Sequence, residues 1–324
     1  MSGGIDVAFV LGAGLGTRLR PLTDERPKPL VPIFHKPLIT FAFDHLRAVG
    51  VKRFVVNTHH RPEAYERILG AREDRAVYRD ASIAFRHEPV LLDTGGGIKN
   101  AEDLLTGGHI LVHNGDVLAD LPLQRLVDEH ISRGNVATLG LRSFGGPLHV
   151  QFDVQSGRMT DIRGRIGGRS EPSYLFTGIY VLSPEIFRFL PAGEVHSIVP
   201  TFLDLARGAG RVGGVVLDEG LWFDLGTRES YREAHRLFSQ PDSRLSYSLD
   251  GDWPLSIHPS ARIGAGAELS GLCVIGPDAE VGEGARLRDC IVWEGAKIEP
   301  GACLDTCIVR DGRHAKGVLR DTDV

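Results

Sequence analysis

Residues 7 to 33 read VAFVLGAGLGTRLRPLTDERPKPLVPI, and this stretch decides how the rest of the chain is interpreted. Its first five residues are an apolar run typical of a buried strand, and Gly12, Gly14 and Gly16 follow at once. Glycine lets a backbone turn sharply and approach a ligand closely, so the loop could hold phosphates. We therefore expect a strand, a turn and an anion site near the start of the chain.

The residues after this loop carry positive charge on a restrained backbone. Prolines at 21, 27, 29 and 32 fix φ and disfavour an α-helix interior. Arginine and lysine in such a segment are held where they can contact phosphate oxygens. The cations concerned are Arg18, Arg20, Arg26 and Lys28. The strand, the glycine turn and the cations together predict a triphosphate site.

Two common glycine-rich phosphate loops do not fit this spacing. The dinucleotide pattern G-x-G-x-x-G needs a glycine or small residue where Thr17 stands, and Leu15-Gly16-Thr17 replaces the G-K-S/T ending of the P-loop. The stretch GAGLGTRLRPLT followed by PKPLVPI instead resembles the signature of the sugar-1-phosphate nucleotidylyltransferases, also called NDP-sugar pyrophosphorylases. The resemblance implies an enzyme that joins a nucleoside triphosphate to a sugar 1-phosphate and releases pyrophosphate.

The resemblance also implies roles for individual residues. Arg18 and Lys28 match the family's triphosphate-contacting and catalytic cations. An arginine fork suits the oxygens of the leaving pyrophosphate, and a lysine suits the α-phosphate as a point charge. The loop residues expected to bind the nucleotide are Leu11, Gly12, Ala13, Gly14, Gly16 and Thr17.

Composition limits the partners of this chain. Its 324 residues exceed the usual single-domain size, which favours one large domain and one smaller domain. A formal charge of −5 and a pI near 6.2, without a long basic tract, argue against binding to nucleic acid or a membrane surface. No apolar stretch approaches the roughly 20 residues of a membrane helix, and the N-terminal MSGGID lacks the basic start of a secretory signal. We expect a cytoplasmic protein with small-molecule substrates.

Up to about residue 238, apolar strand-like runs alternate with helical patterns, which predicts an α/β fold. Ligands of such sheets bind beyond the carboxyl ends of the strands, so the glycine loop and Asn114-Gly115-Asp116 should open onto one crevice. Strands are expected at 7–11, 53–58, 82–87, 109–116, 135–141, 174–182 and 211–217, and helices at 37–50, 62–69, 96–105, 122–133 and 198–208.

The chain then changes character twice. Residues 239–256 lose the periodicity and collect Ser, Asp, Pro and Gly, which is typical of a linker. From residue 257 a six-residue repeat begins, in which a small residue follows four places after each apolar lead. The leads are Ile257, Ile263, Leu269, Ile275, Val281 and, after an irregular step, Val292, Ile298 and Leu304. We predict a Rossmann-like mixed-sheet nucleotidyltransferase domain at 1–238 and a short left-handed β-helix of about three coils at 257–324.

All four cysteines lie in this repeat region, and none has the spacing of a C-x-x-C pair or of a zinc site. Cys273, Cys290 and Cys307 recur at intervals of 17 residues, which is close to one coil. We expect them to stack in successive coils as reduced thiols that pack like small apolar groups.

Nucleotidyl transfer brings two polyanions together, so charge on the α-phosphate must be neutralised by Mg²⁺ and cationic side chains. The nucleophile is already an ionised phosphate and requires no protein base. Asp116, which ends HILVHNGD, and Asp224, in LWFDLGTRESY, match the family's two metal-binding aspartates. Thr227 is expected to cap the helix that follows Asp224. We therefore expect Asp116 and Asp224 to hold Mg²⁺.

The segment HEPVLLDTGGGIKNA, residues 87–101, resembles the family's segment for base and sugar recognition. Glu88 could accept hydrogen bonds from a nucleobase edge, and glycines opening a helix expose backbone N–H groups. Gly95 is assigned to the nucleotide and Gly96 to the sugar. The remaining expected sugar-binding residues are Asn114, Thr177 and Gly178.

Base and sugar stay open at this point. Guanine has paired donors that Glu88 could accept together, which slightly favours GTP and mannose 1-phosphate. The form TGGGI is instead close to that of N-acetylmuramate-1-phosphate uridylyltransferases. Many relatives carry E-K-P before the strand that passes the sugar, whereas this chain has Ser170-Glu171-Pro172. Arg169 or Lys99 is a candidate for the missing cation.

Two further classes of function are open alternatives. A non-catalytic regulatory subunit of this fold would be expected to lose one of its four charged site residues, and all four are present. A β-helix that transfers acyl groups needs a base such as His258 or His314, but about three coils make a short platform. We expect the β-helix to be an interaction module whose exposed end coil pairs two copies into a homodimer.

Overall fold

The computed structural model describes residues 5–167, 172–208, 211–247 and 253–324. The α-helices are α1 Leu38–Arg47, α2 Glu63–Leu69, α3 Asp93–Asn100, α4 Leu123–Arg133, α5 Ile198–Arg207 and α6 Arg228–Phe238. Short 3₁₀ helices span Thr17–Leu19, Lys28–Leu30 and Pro184–Arg188. No helix in the described part of the chain is both long and apolar enough to cross a membrane.

The strands fall into two groups along the chain. The first group is β1 Val7–Leu11, β2 Pro32–Ile33, β3 Lys36–Pro37, β4 Arg53–Thr58, β5 Arg75–Tyr78, β6 Ala81–His87, β7 Ile110–Asn114, β8 Val117–Ala119, β9 Ala137–Arg142, β10 Val150–Asp153, β11 Arg158–Ile162, β12 Ser173–Leu182, β13 Val212–Val216 and β14 Trp222–Asp224. The second group is β15 Arg262–Ile263, β16 Glu268–Ser270, β17 Val274–Ile275, β18 Glu280–Val281, β19 Arg286–Arg288, β20 Ile291–Val292, β21 Lys297–Ile298, β22 Cys303–Asp305, β23 Ile308–Val309, β24 His314–Ala315 and β25 Val318–Arg320.

Ten strands of the first group form one mixed sheet in the order β10-β11-β13-β9-β12-β7-β1-β4-β6-β5. Strand β1 lies parallel to both β4 and β7, and β12 runs antiparallel to β7 and β9. The predicted Rossmann-like mixed sheet is therefore confirmed. Alternate residues of β1 point to opposite faces, so Ala8 and Val10 join one buried cluster and Val7 and Phe9 another.

The predicted strands and helices all exist, with boundary differences of a few residues. The helix expected at 96–105 begins earlier, at Asp93, and ends at Asn100. Strands β5, β10 and β11 were not predicted, because they are short and partly exposed and so lack a continuous apolar run. Thr227 caps α6 as expected, since its side chain accepts a hydrogen bond from the Ser230 N–H.

Contacts divide the chain into two compact units that do not follow the order of the sequence. The first unit contains residues 1–15, 27–30 and 38–225. The second contains residues 16–26, 31–37 and 226–324. Two N-terminal segments and α6 thus belong with the repeat region. The division at 1–238, 239–256 and 257–324 stays a prediction.

Within the second unit, the second strand group forms three parallel sheets, ordered β15-β18-β21-β24, β16-β19-β22-β25 and β17-β20-β23. Successive strands of one sheet are one coil apart along the chain, which is the arrangement of a three-sided β-helix. The predicted leads from Ile275 to Leu304 are buried in its interior. Leu287 is also buried there, so the irregular step in the repeat contains a lead that the pattern missed.

Three of the four cysteines stack as the repeat predicts. Strand pairing aligns Val274 with Ile291 and Ile291 with Ile308, so the cysteines that precede these residues lie in successive coils. Cys273, Cys290 and Cys307 are buried as reduced thiols. A hydrogen bond between the Cys290 and Cys307 thiols, together with burial, raises the pKa of Cys290. The same hydrogen bond lowers the pKa of Cys307. All three side chains pack in the buried cluster of the β-helix.

Candidate active site

The candidate site in the first unit lies where three neighbouring strands end. Leu11, the last residue of β1, is in register with Asn57 of β4 and Asn114 of β7. The Gly115 N–H donates to the Leu11 carbonyl over 2.9 Å, and a Cβ on Gly115 would lie 2.6 Å from that oxygen. Glycine is therefore required for the two strand ends to meet. The glycine loop and the Asn114-Gly115-Asp116 turn follow adjacent strands, as expected.

A short strand pair brings the two aspartates together. Strand β14 runs antiparallel to β8, and Asp224 is in register with Val117, the residue after Asp116. The Lys28 ammonium donates to Asp116 Oδ2 over 2.7 Å and to Asp224 Oδ1 over 3.1 Å. The Lys28 side chain is 6% exposed, whereas those of Asp116 and Asp224 are 35% and 41% exposed. All three residues were predicted from the sequence, and the structure places the Lys28 ammonium in contact with both aspartates.

The carboxylate pair fits the cation expected there. Both aspartates already bind a positive group, and both are accessible enough to accept another ligand. No cluster of three or more His, Cys, Asp or Glu side chains that could form a metal cage occurs among the described residues. Mg²⁺ is usually bound by one or two carboxylates and completed by substrate phosphates and water. Asp116 and Asp224 are of that type.

A buried imidazole lies beside this carboxylate pair without adding charge. His113 precedes Asn114, and its Nδ1 lies 2.8 Å from the Asn114 carbonyl oxygen. Burial, with a smaller effect of His45, lowers the pKa of His113 to about 3. His113 is therefore neutral near pH 7 and does not compete with Lys28 for the aspartates.

The glycine loop is held by two side chains that sequence reasoning missed. The Gly12 N–H donates to Asn57 Oδ1 over 2.8 Å, and the Tyr65 hydroxyl donates to the Gly12 carbonyl over 3.0 Å. A Cβ on Gly12 would lie 2.6 Å from the Asn57 carbonyl oxygen and 2.8 Å from the Tyr65 hydroxyl. Burial and the nearby Asp116 charge raise the pKa of Tyr65, so its hydroxyl stays protonated as a donor. The signal for Asn57 was present, because it is a polar residue near the end of a buried strand.

Glu88 is the third member of this hydrogen-bond chain. It is 0% exposed. Its Oε1 accepts from Asn57 Nδ2 over 2.8 Å, and its Oε2 accepts from the Leu92 N–H over 3.0 Å. Both oxygens are thus engaged within the protein, where they orient Asn57 and the start of α3. The nucleobase contact assigned to Glu88 stays a prediction.

The glycines of α3 are explained by close packing. A Cβ on Gly95 would lie 2.8 Å from the His196 ring, and one on Gly96 would lie 2.5 Å from the Glu194 carbonyl oxygen. The Gly96 N–H donates to the His196 carbonyl over 2.8 Å. The predicted nucleotide and sugar roles of Gly95 and Gly96 remain untested by this arrangement, which shows that both face neighbouring protein.

The residues expected to bind sugar lie at an irregularity in β12. The register of β12 against β9 shifts between Phe176 and Tyr180, and Gly178 has φ +76°. A Cβ on Gly178 would lie 2.5 Å from Asn114 Nδ2. Thr177 is fully buried, and its hydroxyl donates to the Gly140 carbonyl over 2.8 Å. Asn114 and Gly178 are therefore adjacent, whereas the Thr177 hydroxyl is engaged in the sheet.

Trp222 is a further residue that the motifs did not indicate. Its indole N–H donates over 2.8 Å to the carbonyl oxygen of Thr177. The contact ties β14, which ends in Asp224, to the irregular part of β12 next to Gly178. The signal was again in the sequence, since Trp222 stands two residues before the metal-binding candidate.

The predicted nucleotide-site residues Ala13 and Gly14 belong to the first unit, whereas Gly16, Thr17 and Arg18 belong to the second. Gly16 has φ +62° and precedes the 3₁₀ helix that contains Thr17 and Arg18. The Thr23 hydroxyl donates to the Gly16 carbonyl over 2.8 Å, which closes this turn. A Cβ on Gly226 would lie 2.9 Å from Arg18 Nη2, so the guanidinium packs against a glycine at the start of the α6 region.

Arg169 and Lys99 are the two candidates for the missing family lysine. Arg169, Ser170 and Glu171 lie outside the described residues. Lys99, the other candidate for the missing family lysine, donates to the Phe187 carbonyl over 2.9 Å and pairs with Glu102 at 2.7 Å. Its ammonium is thus engaged at the end of α3.

Comparison with known proteins now adds to this geometry. The family model for nucleotidyl transferases matches residues 7–240, and the model for the GMPPB C-terminal domain matches residues 253–319. The chain belongs to the nucleotidyl transferase family. The mannose-1-phosphate guanylyltransferase of Mycobacterium tuberculosis is 29% identical over 292 residues, covering 89% of this chain and 80% of that protein.

Two other similarities cover 71% and 72% of this chain. The N-acetylmuramate alpha-1-phosphate uridylyltransferase of Neisseria meningitidis is 35% identical over 237 residues, covering 71% of this chain and 97% of that protein. The crystal structure of HddC from Yersinia pseudotuberculosis superimposes with a TM-score of 0.57 at 22% identity, covering 72% and 99% of the two chains. The latter likeness supports the fold alone. As a member of the nucleotidyl transferase family, the chain is an enzyme.

Proposed function

We propose that this nucleotidyl transferase condenses GTP with mannose 1-phosphate to give GDP-mannose and pyrophosphate. The observation that carries the reaction type is Lys28 between Asp116 and Asp224, at 2.7 and 3.1 Å. A buried cation and two accessible carboxylates at the end of a mixed sheet are suited to triphosphate chemistry. The lean to guanine and mannose rests on the Mycobacterium tuberculosis relative and on the match to the GMPPB C-terminal domain.

In the proposed reaction a phosphate oxygen of the sugar 1-phosphate attacks the α-phosphorus of the nucleotide. The new P–O bond forms in line with the bond between the α-phosphorus and the bridging oxygen. That bond breaks, and the bridging oxygen leaves with pyrophosphate. Lys28 stabilises negative charge on the α-phosphate, and Arg18 contacts the leaving pyrophosphate. The Asn57 and Tyr65 contacts fix the Gly12 backbone beside which the triphosphate would lie.

Asp116 and Asp224 are proposed to hold Mg²⁺. When bound, the ion would supply neutralisation of phosphate charge. In this structure Asp116 and Asp224 share the single positive charge of Lys28. A metal ion bound there would balance their charge and would leave the Lys28 ammonium available to the α-phosphate.

A uridylyltransferase acting on an amino-sugar 1-phosphate is the second candidate. The Neisseria meningitidis relative favours it, because its 35% identity spans 71% of this chain. Glu88 gives the guanine proposal less support, since both of its carboxylate oxygens already accept hydrogen bonds from the protein.

The deciding experiment measures pyrophosphate release with Mg²⁺ for each pair of one nucleotide and one sugar phosphate. The nucleotides are GTP, UTP, dTTP, ATP and CTP, and the acceptors are mannose, glucose and N-acetylated amino-sugar 1-phosphates. We expect the fastest release with GTP and mannose 1-phosphate. Asp116→Asn should reduce it at least about 100-fold, because a carboxylate that contacts Lys28 and is proposed to hold Mg²⁺ is lost.

A matched control is Asp128→Asn, which removes an exposed carboxylate on α4 that accepts a hydrogen bond from Gln124. Its rate should equal that of the wild type. A preference for UTP with an amino-sugar phosphate would replace the guanylyl proposal by the second candidate. No release from any pair by the folded protein would contradict nucleotidyl transfer to these acceptors.

We also propose a homodimer formed through the β-helix. The first coil of the helix leaves apolar leads at the surface, with Ile257 41% and Ile263 40% exposed. Sedimentation velocity would test this proposal, and Ile263→Lys is expected to convert a dimer to a monomer. A wild type that sediments as a monomer would contradict it. The cytoplasmic location stays a prediction.

A further inference from the structure

One turn of the β-helix grips the segment that contains Arg18. The turn is Arg310–Arg313, between β23 and β24, and the gripped segment is residues 16–26 of the same unit. Two of the contacts are ion pairs, and the third is a hydrogen bond of 3.0 Å to a backbone carbonyl. The contacts join Asp311 to Arg26, Arg313 to Glu25, and Arg310 Nη1 to the Pro21 carbonyl oxygen.

Arg26 is the centre of this grip. Its side chain is 5% exposed, and its guanidinium lies 5.3 Å from the centre of the Trp293 ring. Glu294 lies at 4.0 Å and Asp311 is hydrogen-bonded to it. A planar guanidinium that stacks on an aromatic ring and pairs with a carboxylate has a fixed orientation. A buried charge of this kind depends on its partner, so Asp311 determines where Arg26 lies.

The segment on the other side of Lys28 is held in the same unit. The Tyr231 hydroxyl of α6 donates to the Pro32 carbonyl over 2.8 Å, and the Trp253 indole N–H donates to the Ile33 carbonyl over 3.2 Å. The Trp293 indole N–H in turn donates to the Tyr231 hydroxyl over 3.0 Å. Residues 31–37 are therefore anchored within the second unit by Tyr231 of α6 and by Trp253.

We infer that the β-helix acts on the reaction through Arg18: Asp311 and Arg26 are positioning residues that hold the segment carrying Arg18. Arg18 lies eight residues before Arg26 in the gripped segment, whose 3₁₀ turn is closed by the Leu19 N–H to the Gly16 carbonyl at 3.0 Å. Loosening the grip leaves Arg18 less ordered where charge develops on the leaving pyrophosphate. The effect on catalysis rests on the proposed function, whereas the anchoring itself does not.

The anchoring is tested by hydrogen exchange of the wild type and Asp311→Asn, followed by mass spectrometry of peptides covering residues 16–26. Asp311→Asn should increase exchange of these amides about tenfold, with little change in peptides from β17 to β22. The matched control is Asp305→Asn, which removes another aspartate paired with an arginine, Arg288, within the β-helix. Its residues 16–26 should exchange at the wild-type rate.

The effect on catalysis is tested by steady-state kinetics with the substrate pair found by the pyrophosphate assay. Asp311→Asn should lower kcat about tenfold and leave the KM of the sugar 1-phosphate within about twofold, because misplacement of a charge affects the transition state most. Asp311→Glu, which keeps the charge, should recover most of the loss. If Asp311→Asn merely reduced the amount of folded enzyme, restoring the charge in Asp311→Glu would not recover kcat.

The outcomes test the anchoring, the positioning role and the proposed function separately. Unchanged exchange in residues 16–26 of a folded Asp311→Asn overturns the anchoring. Faster exchange with unchanged kcat overturns the positioning role. If Asp311→Asn does not fold, Arg313→Gln replaces it, since the Arg313–Glu25 pair is 44% and 46% exposed. A wild type without pyrophosphate release contradicts the proposed function, and the exchange experiment still decides the anchoring.

Discussion

Lys28 and Arg26 lie two residues apart, and each is a buried cation facing aspartate, yet they serve two different regions of the molecule. Lys28 belongs to the sheet unit and contacts Asp116 and Asp224 at 2.7 and 3.1 Å. Arg26 belongs to the β-helix unit and pairs with Asp311 beneath Trp293. Their exposed fractions are nearly equal, at 6% and 5%. Burial alone therefore does not distinguish a reacting charge from an anchoring charge.

The partners distinguish them. Lys28 is a point charge between two carboxylates that are 35% and 41% exposed, so a ligand can reach the same oxygens. Arg26 presents a planar fork to a carboxylate that is 20% exposed and stacks on an indole ring. Asp116 and Asp224 can therefore bind another cation with little rearrangement, whereas Asp311 cannot. A cation that reacts is one whose partners remain accessible.

The largest expected effect is that of Lys28→Met. Pyrophosphate release should fall at least about 1,000-fold, because the charge that stabilises the α-phosphate is lost. Binding of Mn²⁺, measured by isothermal titration calorimetry, should strengthen about tenfold, since two carboxylates lose an internal competitor. Lys297→Met in the β-helix is the control and should change neither quantity. Weaker Mn²⁺ binding in Lys28→Met would show that Lys28 and the metal do not share these aspartates.

Gly12 and Gly14 of the first unit are expected to be required for different reasons, Gly12 for close packing and Gly14 for the approach of the ligand. A Cβ on Gly12 would lie 2.6 Å from the Asn57 backbone oxygen, whereas nothing lies within 4 Å of a Cβ on Gly14. Gly12→Ala should lower the free energy of unfolding by about 2 kcal/mol in urea titrations. Gly14→Ala should stay within about 0.5 kcal/mol of the wild type but raise the KM of the nucleotide about tenfold. Equal stability losses in both variants would refute the assignment.

The anchoring cation is tested by Arg26→Lys, which keeps the charge and removes the fork. Loss of the guanidinium stack on Trp293 should lower the free energy of unfolding by about 1 kcal/mol, measured by urea unfolding. Arg236→Lys, at an exposed position on α6 paired with Glu233, is the control and should be neutral. If Arg26→Lys were neutral as well, the contrast between the fixed and the exchangeable cation would lose its basis.

The last prediction concerns the binding of a proton by a buried histidine. His130 is 0% exposed, with Nδ1 2.9 Å from the Thr138 hydroxyl, and burial lowers its pKa to about 3, helped by the charge of His109. Its unfolded pKa is near 6.5, so the unfolded state binds the proton more tightly, and stability declines as pH falls from about 6.5 toward 3. The slope should approach roughly 1 kcal/mol per pH unit, seen as a decreasing Tm.

His130→Gln should flatten this decline, and the exposed β-helix residue His314 offers the control. His314→Gln should leave the slope of Tm against pH unchanged. An identical slope in His130→Gln and the wild type would assign the acid sensitivity to other groups.

The two regions were also unequally predictable from sequence. The β-helix follows from its repeat, because each apolar lead such as Ile275 or Val292 fills the same place in a coil. Its missed lead, Leu287, lies where the repeat length changes from 18 to 17 residues per coil. Lys28, Asp116 and Asp224 were also predicted, because each stands in a recognisable motif.

Roles that depend on distant partners were not predicted, and Arg26 was instead grouped with the cations expected to contact phosphate. Asn57 acts by contacting Gly12, 45 positions away, and Arg26 acts by contacting Asp311, 285 positions away. No local pattern marks such pairs. For Glu88 the motif gave the position, but only burial and its two protein donors show what its carboxylate does here. Local chemistry is readable from sequence, whereas pairing across the fold requires the structure.

The central claim is that the chain transfers a nucleotidyl group by attack at the α-phosphorus. The most direct test follows ³²P from nucleotide labelled at the α- or γ-position, using the nucleotide preferred in the pyrophosphate assay, with wild type and Asp224→Asn. The account predicts that the α-label enters the nucleotide sugar, that the γ-label leaves in pyrophosphate, and that Asp224→Asn suppresses both. The γ-label appearing as inorganic phosphate, with the α-label left in a nucleoside diphosphate, would contradict it.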